Sequence, residues 1–243
     1  MPSDGNLIHP LLVQVQRLSQ AALDLVFPPR CVVCRRPGAE LCDACRGAFP
    51  RLPGPLCGVC SLPLGGAAPC AGCRARPPSY RRLRSAYSYE GTVRRAVLAF
   101  KYEGRRRLAA PLAAALGAVI PADGSARAVL CAVPMHHERE AERGYNHATL
   151  LAQELGRLWH APVLPPEALR RTRQTTAQVG LDYHTRLTNL KGAFHADRPH
   201  VDGQVVLLVD DVCTTGSTLN ACAEALLGAG AAVVECVTLA RTL

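Results

Sequence analysis

Lysine is nearly absent from this 243-residue chain: of its 28 basic residues only Lys101 and Lys191 are Lys, and the other 26 are Arg. Arg suits two-pronged contacts to phosphate, but such a bias can equally reflect the base composition of a genome, so it excludes little. Aromatic residues make up only 5%, which leaves Ala, Val and Leu to fill the core. No apolar run is long enough to cross a bilayer, so membrane insertion is not expected. The N-terminus lacks a basic start followed by an apolar run and a small-residue cleavage site. It therefore does not read as a secretion signal, and a cytoplasmic setting is expected. Charged residues at 19% beside hydrophobic residues at 49% exclude a disordered chain.

What is present is unevenly distributed. The net charge is +9, yet 11 basic residues fall between Arg74 and Arg107 against only Glu90 and Glu103. The remainder of the chain is neutral, so the excess points to a local anion-binding surface. The length suits one substantial core plus a small satellite module. Residues 11–27 space their apolar side chains as a helix does, and Pro28 and Pro29 stop it. Residues 30–78 are rich in Cys, Gly and Pro and bury too little to fold without a staple.

From residue 84 onward strands and helices alternate. Strands are expected at Ser85–Tyr89, Ala128–Val133, Val205–Val209 and Ala232–Leu239, with short pieces near Val163 and Leu169. Helices are expected at Thr92–Tyr102, Leu108–Ile120, about His147–Leu158, around Leu181–Leu190, and Ser217–Leu227. The alternation predicts an α/β fold with an open, mostly parallel sheet flanked by helices. Three parts are expected: a helix over 1–28, a cysteine-rich module over 29–76, and the α/β domain over 79–243, separated at Arg76–Pro77–Pro78.

Eight of the twelve cysteines form Cys-x-x-Cys pairs: Cys31/Cys34, Cys42/Cys45, Cys57/Cys60 and Cys70/Cys73. Two thiolates at this spacing on a tight turn face one metal ion, and two such turns complete a tetrahedral four-sulfur shell. The alternatives are disulfides, a redox pair and an iron–sulfur cluster. Disulfides suit an oxidising compartment, and a redox pair stands alone beside a βαβ unit. Two structural zinc ions are therefore expected, with sequential and crossed pairing both open. Cys131, Cys213, Cys222 and Cys236 lie in or beside apolar stretches and read as small core residues.

The segment Val205–Leu219 (VVLLVDDVCTTGSTL) carries the clearest chemistry. Five apolar residues suit a strand covered on both faces. Asp210 and Asp211 stand at its C-terminal end, where open α/β sheets bind ligands. Thr214, Thr215, Gly216, Ser217 and Thr218 then open a helix whose free N–H groups suit a phosphate. The acids can accept hydrogen bonds from ribose hydroxyls or organise Mg²⁺. A plain helix cap after a strand is the alternative reading.

Strand, acid pair and TTGST together resemble the motif with which type I phosphoribosyltransferases bind PRPP, the ribose 5-phosphate activated by pyrophosphate. With the cysteine-rich head, the chain resembles the ComF family, also represented by GntX-type proteins. The resemblance extends to Lys101–Tyr102, Val133–Pro134, Arg139, Arg143–Asn146, Arg171, Arg173, Thr176, Gln178 and Arg186–Leu190, ending at Ala193–Phe194. Tyr145 replaces a common Phe and His147 a common Gln. The resemblance implies a double zinc ribbon and a PRPP site built from Asp210, Asp211 and Thr214–Thr218. It also implies Mg²⁺ with the pyrophosphate, and a flap within Arg171–Asn189.

Arg139 and Arg143 are the candidates for neutralising the departing pyrophosphate, unless Glu138, Glu140 and Glu142 pair with them. His136 and His137 are weaker candidates for acid–base work. Two functions follow: phosphoribosyl transfer to a nitrogenous acceptor, or a non-catalytic accessory role in DNA uptake. In the second, single-stranded DNA and a DNA-translocating helicase are the implied partners. A fold does not choose between them.

Overall fold

The computed structural model describes residues 28–66, 68–120, 128–173, 190 and 192–243. The helices expected over 11–27 and around Leu181–Leu190, and most of the expected flap, lie outside the described residues.

Among the described residues, six strands and eight helices follow in chain order. They are α1 (Asp43–Gly47), α2 (Ala71–Ala75), β1 (Leu83–Ser88), α3 (Gly91–Tyr102), α4 (Ala109–Val119), β2 (Ala128–Ala132), α5 (His137–Arg143) and α6 (His147–Trp159). Then come β3 (Leu169–Arg171), β4 (Phe194–Ala196), α7 (Arg198–Val201), β5 (Val205–Cys213), α8 (Ser217–Gly228) and β6 (Val233–Arg241). The main sheet has the order β1-β6-β5-β2 and is parallel throughout. A parallel bridge between Leu130 and Val163 extends it beyond β2. β3 and β4 form a separate antiparallel pair.

Side-chain alternation divides the core into two layers. Leu207, Val209, Val237 and Leu239 face α3, α4 and α6, whereas Val206, Leu208, Val234 and Cys236 face α8 and the β3–β4 pair. Both faces are covered, which is why these strands read as continuous apolar runs. Two local expectations change. β5 runs on through Asp210 and Asp211 to Cys213 rather than ending at Val209, because Asp210 and Val212 still pair with Thr238 and Ala240 of β6. The stretch between β2 and α6, where the sequence offers no element, contains α5, with Glu138 and Glu140 in its first turn, Arg143 in its last and Gly144 closing it at φ 76°. Charges so placed complement the helix dipole, and the left-handed glycine is a common helix stop.

The cysteine-rich head is not a loose satellite. β1 is an edge strand, which left open would invite pairing with another chain. The head covers it. Leu83 N–H donates to Val59 O at 2.7 Å, Ser88 N–H donates to Pro50 O at 2.8 Å, and Arg51 forms an antiparallel bridge with Tyr87. Phe49 meets the Tyr87 ring edge-on at 5.1 Å, and Val32, Leu41 and Phe49 join the same core layer as α3 and α4. Buried Ser61 donates to Leu83 O at 2.7 Å and accepts from Ser85 N–H at 3.2 Å. Ser61→Ala strips both partners from buried groups and is expected to cost about 1–3 kcal/mol in a urea titration. No change in midpoint would mean that this seam contributes nothing.

Candidate functional site

The chain leaves β2 through α6 toward Val163 on one side and returns as β5 on the other. Such a switch in winding direction opens a crevice beyond the carboxyl ends of the two strands, the usual ligand position in open α/β sheets. Here the crevice measures about 240 Å³, and Asp210, Asp211, Arg139, Arg143, Lys101 and His147 all line it. Asp211 is buried, while the Asp210 side chain keeps an exposed edge.

Lys101, in the last turn of α3, places Nζ 2.9 Å from Asp211 Oδ1. His147, at the start of α6, places Nε2 3.2 Å from Asp211 Oδ2 and 3.8 Å from Asp210 Oδ1. The first of these contacts lacks hydrogen-bond alignment, so Oδ2 remains a buried acceptor without a true donor. Arg143 lies 2.9 Å from His147 Nδ1. Burial opposes the charge of Asp211, but His147 and Lys101 favour it, and the balance holds this carboxyl below the ordinary range. Burial likewise opposes the Lys101 charge, and Asp211 and Asp210 outweigh it and raise its pKa. Asp211 is thus a locked anion, and Asp210, whose Oδ1 accepts from Asp211 N–H at 2.9 Å, is the acid with an edge toward the crevice.

The arginines arrive on α5. Asn146 anchors the segment by donating to Val133 O at 3.0 Å and capping α6 through Ala148 N–H at 2.9 Å. Arg143 also lies over the Tyr102 ring at 5.0 Å. No ion pair joins Arg139 or Arg143 to Glu140 or Glu142 among the described residues. Glu138 stands 3.9 Å from His136 Nδ1, and His136 packs against His137 at 4.3 Å, away from the crevice lining.

The TTGST turn divides its residues. Thr218 lines the acid crevice, whereas Thr215, Gly216 and Ser217 line a second cavity of about 550 Å³ facing the head, and Thr214 lines neither. Gly216 adopts φ 82° just before α8, a conformation that glycine enters at no steric cost. Thr215 Oγ1 lies 2.9 Å from Ser217 Oγ and accepts weakly from Ser217 N–H at 3.3 Å, so one hydroxyl also serves as a cap.

The eight paired cysteines form two clusters, Cys31/Cys34/Cys42/Cys45 and Cys57/Cys60/Cys70/Cys73. Pairing is therefore sequential. All remain free thiols. Cys34 and Cys42 sulfurs lie 3.7 Å apart, as do those of Cys60 and Cys70. A tetrahedron with zinc–sulfur bonds of about 2.3 Å has an edge of about 3.8 Å, so the donor sets fit zinc. Burial would push the Cys31 and Cys57 thiols up, but backbone N–H groups aimed at each sulfur prevail and hold both at about 6. Four sulfurs close the shell, which makes the sites structural rather than catalytic.

Two groups escaped the sequence reading as partners of the acid pair, Lys101 and His147. A signal for the first existed: one of only two lysines in a chain that otherwise uses arginine marks a place where a compact ammonium is needed. Much of the basic stretch is engaged within the chain. Arg81 and Arg82 pair with Glu235, Arg95 with Glu103, Lys101 with Asp211 and Arg105 with Glu40, while Arg106 donates to Gly144 O.

Fold and site together define a phosphoribosyltransferase-type domain carrying a double zinc ribbon. Sequence comparison agrees: the double zinc ribbon domain model matches residues 22–74 and the phosphoribosyl transferase domain model residues 141–243. The chain is 36% identical to DNA utilization protein YhgH of Salmonella typhi over 90% of its own length and all of the relative's. It is 32% identical to Competence protein F of Haemophilus influenzae over 88% of this chain and 98% of that one. Competence protein ComFC of Bacillus subtilis is 28% identical over 92% of each chain. The chain belongs to the ComF family.

Proposed function

We propose that the crevice between β2 and β5 binds PRPP or another ribose phosphate, and that the chain transfers the phosphoribosyl group to a nitrogenous acceptor. In that step the bond from ribose C1 to pyrophosphate breaks with its electron pair leaving on the pyrophosphate oxygen. The acceptor nitrogen bonds to C1 and gives up a proton. Asp210 and Thr218 hold the sugar within the crevice, Thr214, Thr215, Gly216 and Ser217 hold its phosphate where the same turn faces the adjoining cavity, and Asp211 keeps the edge of the site rigid. Arg139 and Arg143 neutralise the charge that develops on the leaving group.

Mg²⁺ fits this donor set: two adjacent carboxylates offer oxygen ligands, and Asp211 Oδ2 is a buried acceptor lacking a donor. Asp210 and Asp211 would hold the ion, which neutralises pyrophosphate charge. A cytoplasmic setting, where cysteine ligands stay reduced, would suit the two four-cysteine clusters. Among the described residues no helix is long and apolar enough to cross a membrane.

One observation carries this reading: an acid pair at the switch point, one member locked by Lys101 and the other turned to a crevice that Arg139 and Arg143 also line. Calorimetry with PRPP and Mg²⁺ tests it. Binding is expected, weakened at least tenfold by Asp210→Asn, with pyrophosphate released only when a base is added. Absence of heat with both PRPP and ribose 5-phosphate would overturn it.

The relatives' names, a DNA utilization protein and two competence proteins, favour a second reading, a DNA-linked accessory role; we infer single-stranded DNA and a DNA-translocating helicase as its partners. That reading expects DNA binding that falls steeply with salt and weakens when Arg105, Arg106 and Arg107 are neutralised. Binding to DNA unaffected by either change would count against it.

A further inference from the structure

Three metal-ligating side chains meet in the acid crevice from two elements. Asp210 and Asp211 come from β5 and His147 is the first residue of α6, and one donor atom of each lies within 4.8 Å of the other two. All three side chains are largely buried. Lys101 occupies Asp211 Oδ1 and leaves Oδ2 buried without a hydrogen-bond donor. His147 Nε2 faces that oxygen at 3.2 Å, yet not in the alignment of a hydrogen bond. The separation is that of neighbouring ligands around one ion: bonds of about 2.1 Å at right angles set two donors about 3.0 Å apart. Asp210 Oδ1, at 3.8 Å from the same nitrogen, stands wider and would have to close in slightly.

The kind of donor matters as much as the spacing. Mg²⁺ takes oxygen ligands and usually leans on substrate phosphates beside one or two carboxylates. An imidazole suits transition ions instead. We infer that His147 is a third ligand, which turns the acid pair into a site for a first-row transition ion that binds ahead of any sugar phosphate and in preference to Mg²⁺. The ion's task at the pyrophosphate rests on the ribose-phosphate reading above, whereas the ligand set stands on its own geometry.

Arg143 is drawn into the same event. It lies 2.9 Å from His147 Nδ1. A ring that gives Nε2 to an ion carries its proton on Nδ1, and a guanidinium has no acceptor to offer that proton. Ion binding therefore turns Arg143 away from the imidazole and frees it for the leaving group in the crevice that both residues line. Ion and arginine compete for one ring.

The test is Mn²⁺ binding to the full zinc-loaded chain at neutral pH without ribose phosphate, read from the spin-resonance signal of the free ion, with Mg²⁺ as competitor. Mn²⁺ is the weakest binder of its series and a poor match for thiolates, so it leaves the ribbons' zinc in place. One ion is expected, held about tenfold or more above Mg²⁺, with nitrogen coupling from the imidazole in pulsed spin resonance. His147→Gln should lower Mn²⁺ affinity about tenfold or more, change Mg²⁺ affinity by less than about threefold and erase the coupling, with zinc content as the control for folding. Should His147→Gln fail to fold, Arg143→Met decides: Mn²⁺ binding tighter by about threefold or more supports the inference, and equal or weaker binding overturns it. No bound Mn²⁺, a bound ion without nitrogen coupling, or equal affinity for Mn²⁺ and Mg²⁺ also overturns it, and leaves the ribose-phosphate reading to its own calorimetry with Mg²⁺. Mn²⁺ held through nitrogen, beside no heat from PRPP or ribose 5-phosphate, upholds the ligand set and sinks that reading instead.

Discussion

Removing zinc with a strong chelator is expected to lower the stability of the whole chain, not only of its cysteine-rich head. In isolated zinc-finger peptides a structural zinc contributes on the order of 10 kcal/mol of folding free energy, comparable to the entire stability of many domains. Here the head cannot melt in isolation. Cys31, Val32, Leu41, Cys45 and Phe49 share a core with α3, α4 and Tyr87, and residues 50, 51 and 59–61 cover the open edge of β1. Metal loss would therefore expose apolar surface and an unpaired strand edge together, and aggregation should follow. Metal analysis is expected to return two zinc ions per chain. Thermal unfolding should shift sharply downward in the chelated protein and in Cys45→Ser. One ion or none, or an unchanged melt, would refute the two-site structural role.

Replacing Lys101 with Met should be the most damaging single change at the acid pair. Asp211 is fully buried, and the ammonium 2.9 Å away is its only cationic hydrogen-bond partner among the described residues. Deleting one member of a buried pair leaves an uncompensated charge and costs about 3–5 kcal/mol. The double change Lys101→Met, Asp211→Leu should recover most of this, because it removes both charges at once.

The pH dependence has a defined sign. Asp211 is depressed below its ordinary value of about 3.8, so its contribution is complete above that value and vanishes as pH falls through the lower folded pKa. Lys101 is raised above about 10.5, so its contribution is complete below that value and is lost as pH climbs through the higher folded pKa. The stability gap between the unaltered chain and Lys101→Met should therefore be flat through the neutral range and shrink in acid. Denaturant titrations at several pH values measure it, and a gap growing on acidification would contradict the pairing.

The sheet and its helices were legible because their period-two and helical patterns are local. β6, α3, α6 and α8 fall close to where alternation and apolar periodicity put them, and β5 begins where its apolar run does. α5 gives no sequence signal because the seven residues HEREAER offer no apolar stripe; their helix rests on terminal charges and the Gly144 stop. β4 is three residues long and exists only by pairing with β3. Arg81 and Arg82 read as free basic surface because their partner, Glu235, is more than 150 positions away.

Cysteine spacing alone determined that two four-sulfur shells would form, since each knuckle is made within four residues. The run of apolar residues, acids and TTGST likewise determined where a sugar phosphate would be sought. Tertiary structure alone decided that the cysteine pairs join sequentially, that the head seals β1, and that Lys101 and His147 close on Asp211. Backbone turns and side-chain periodicity act over a few residues, whereas burial couples groups whose separation along the chain carries no signal.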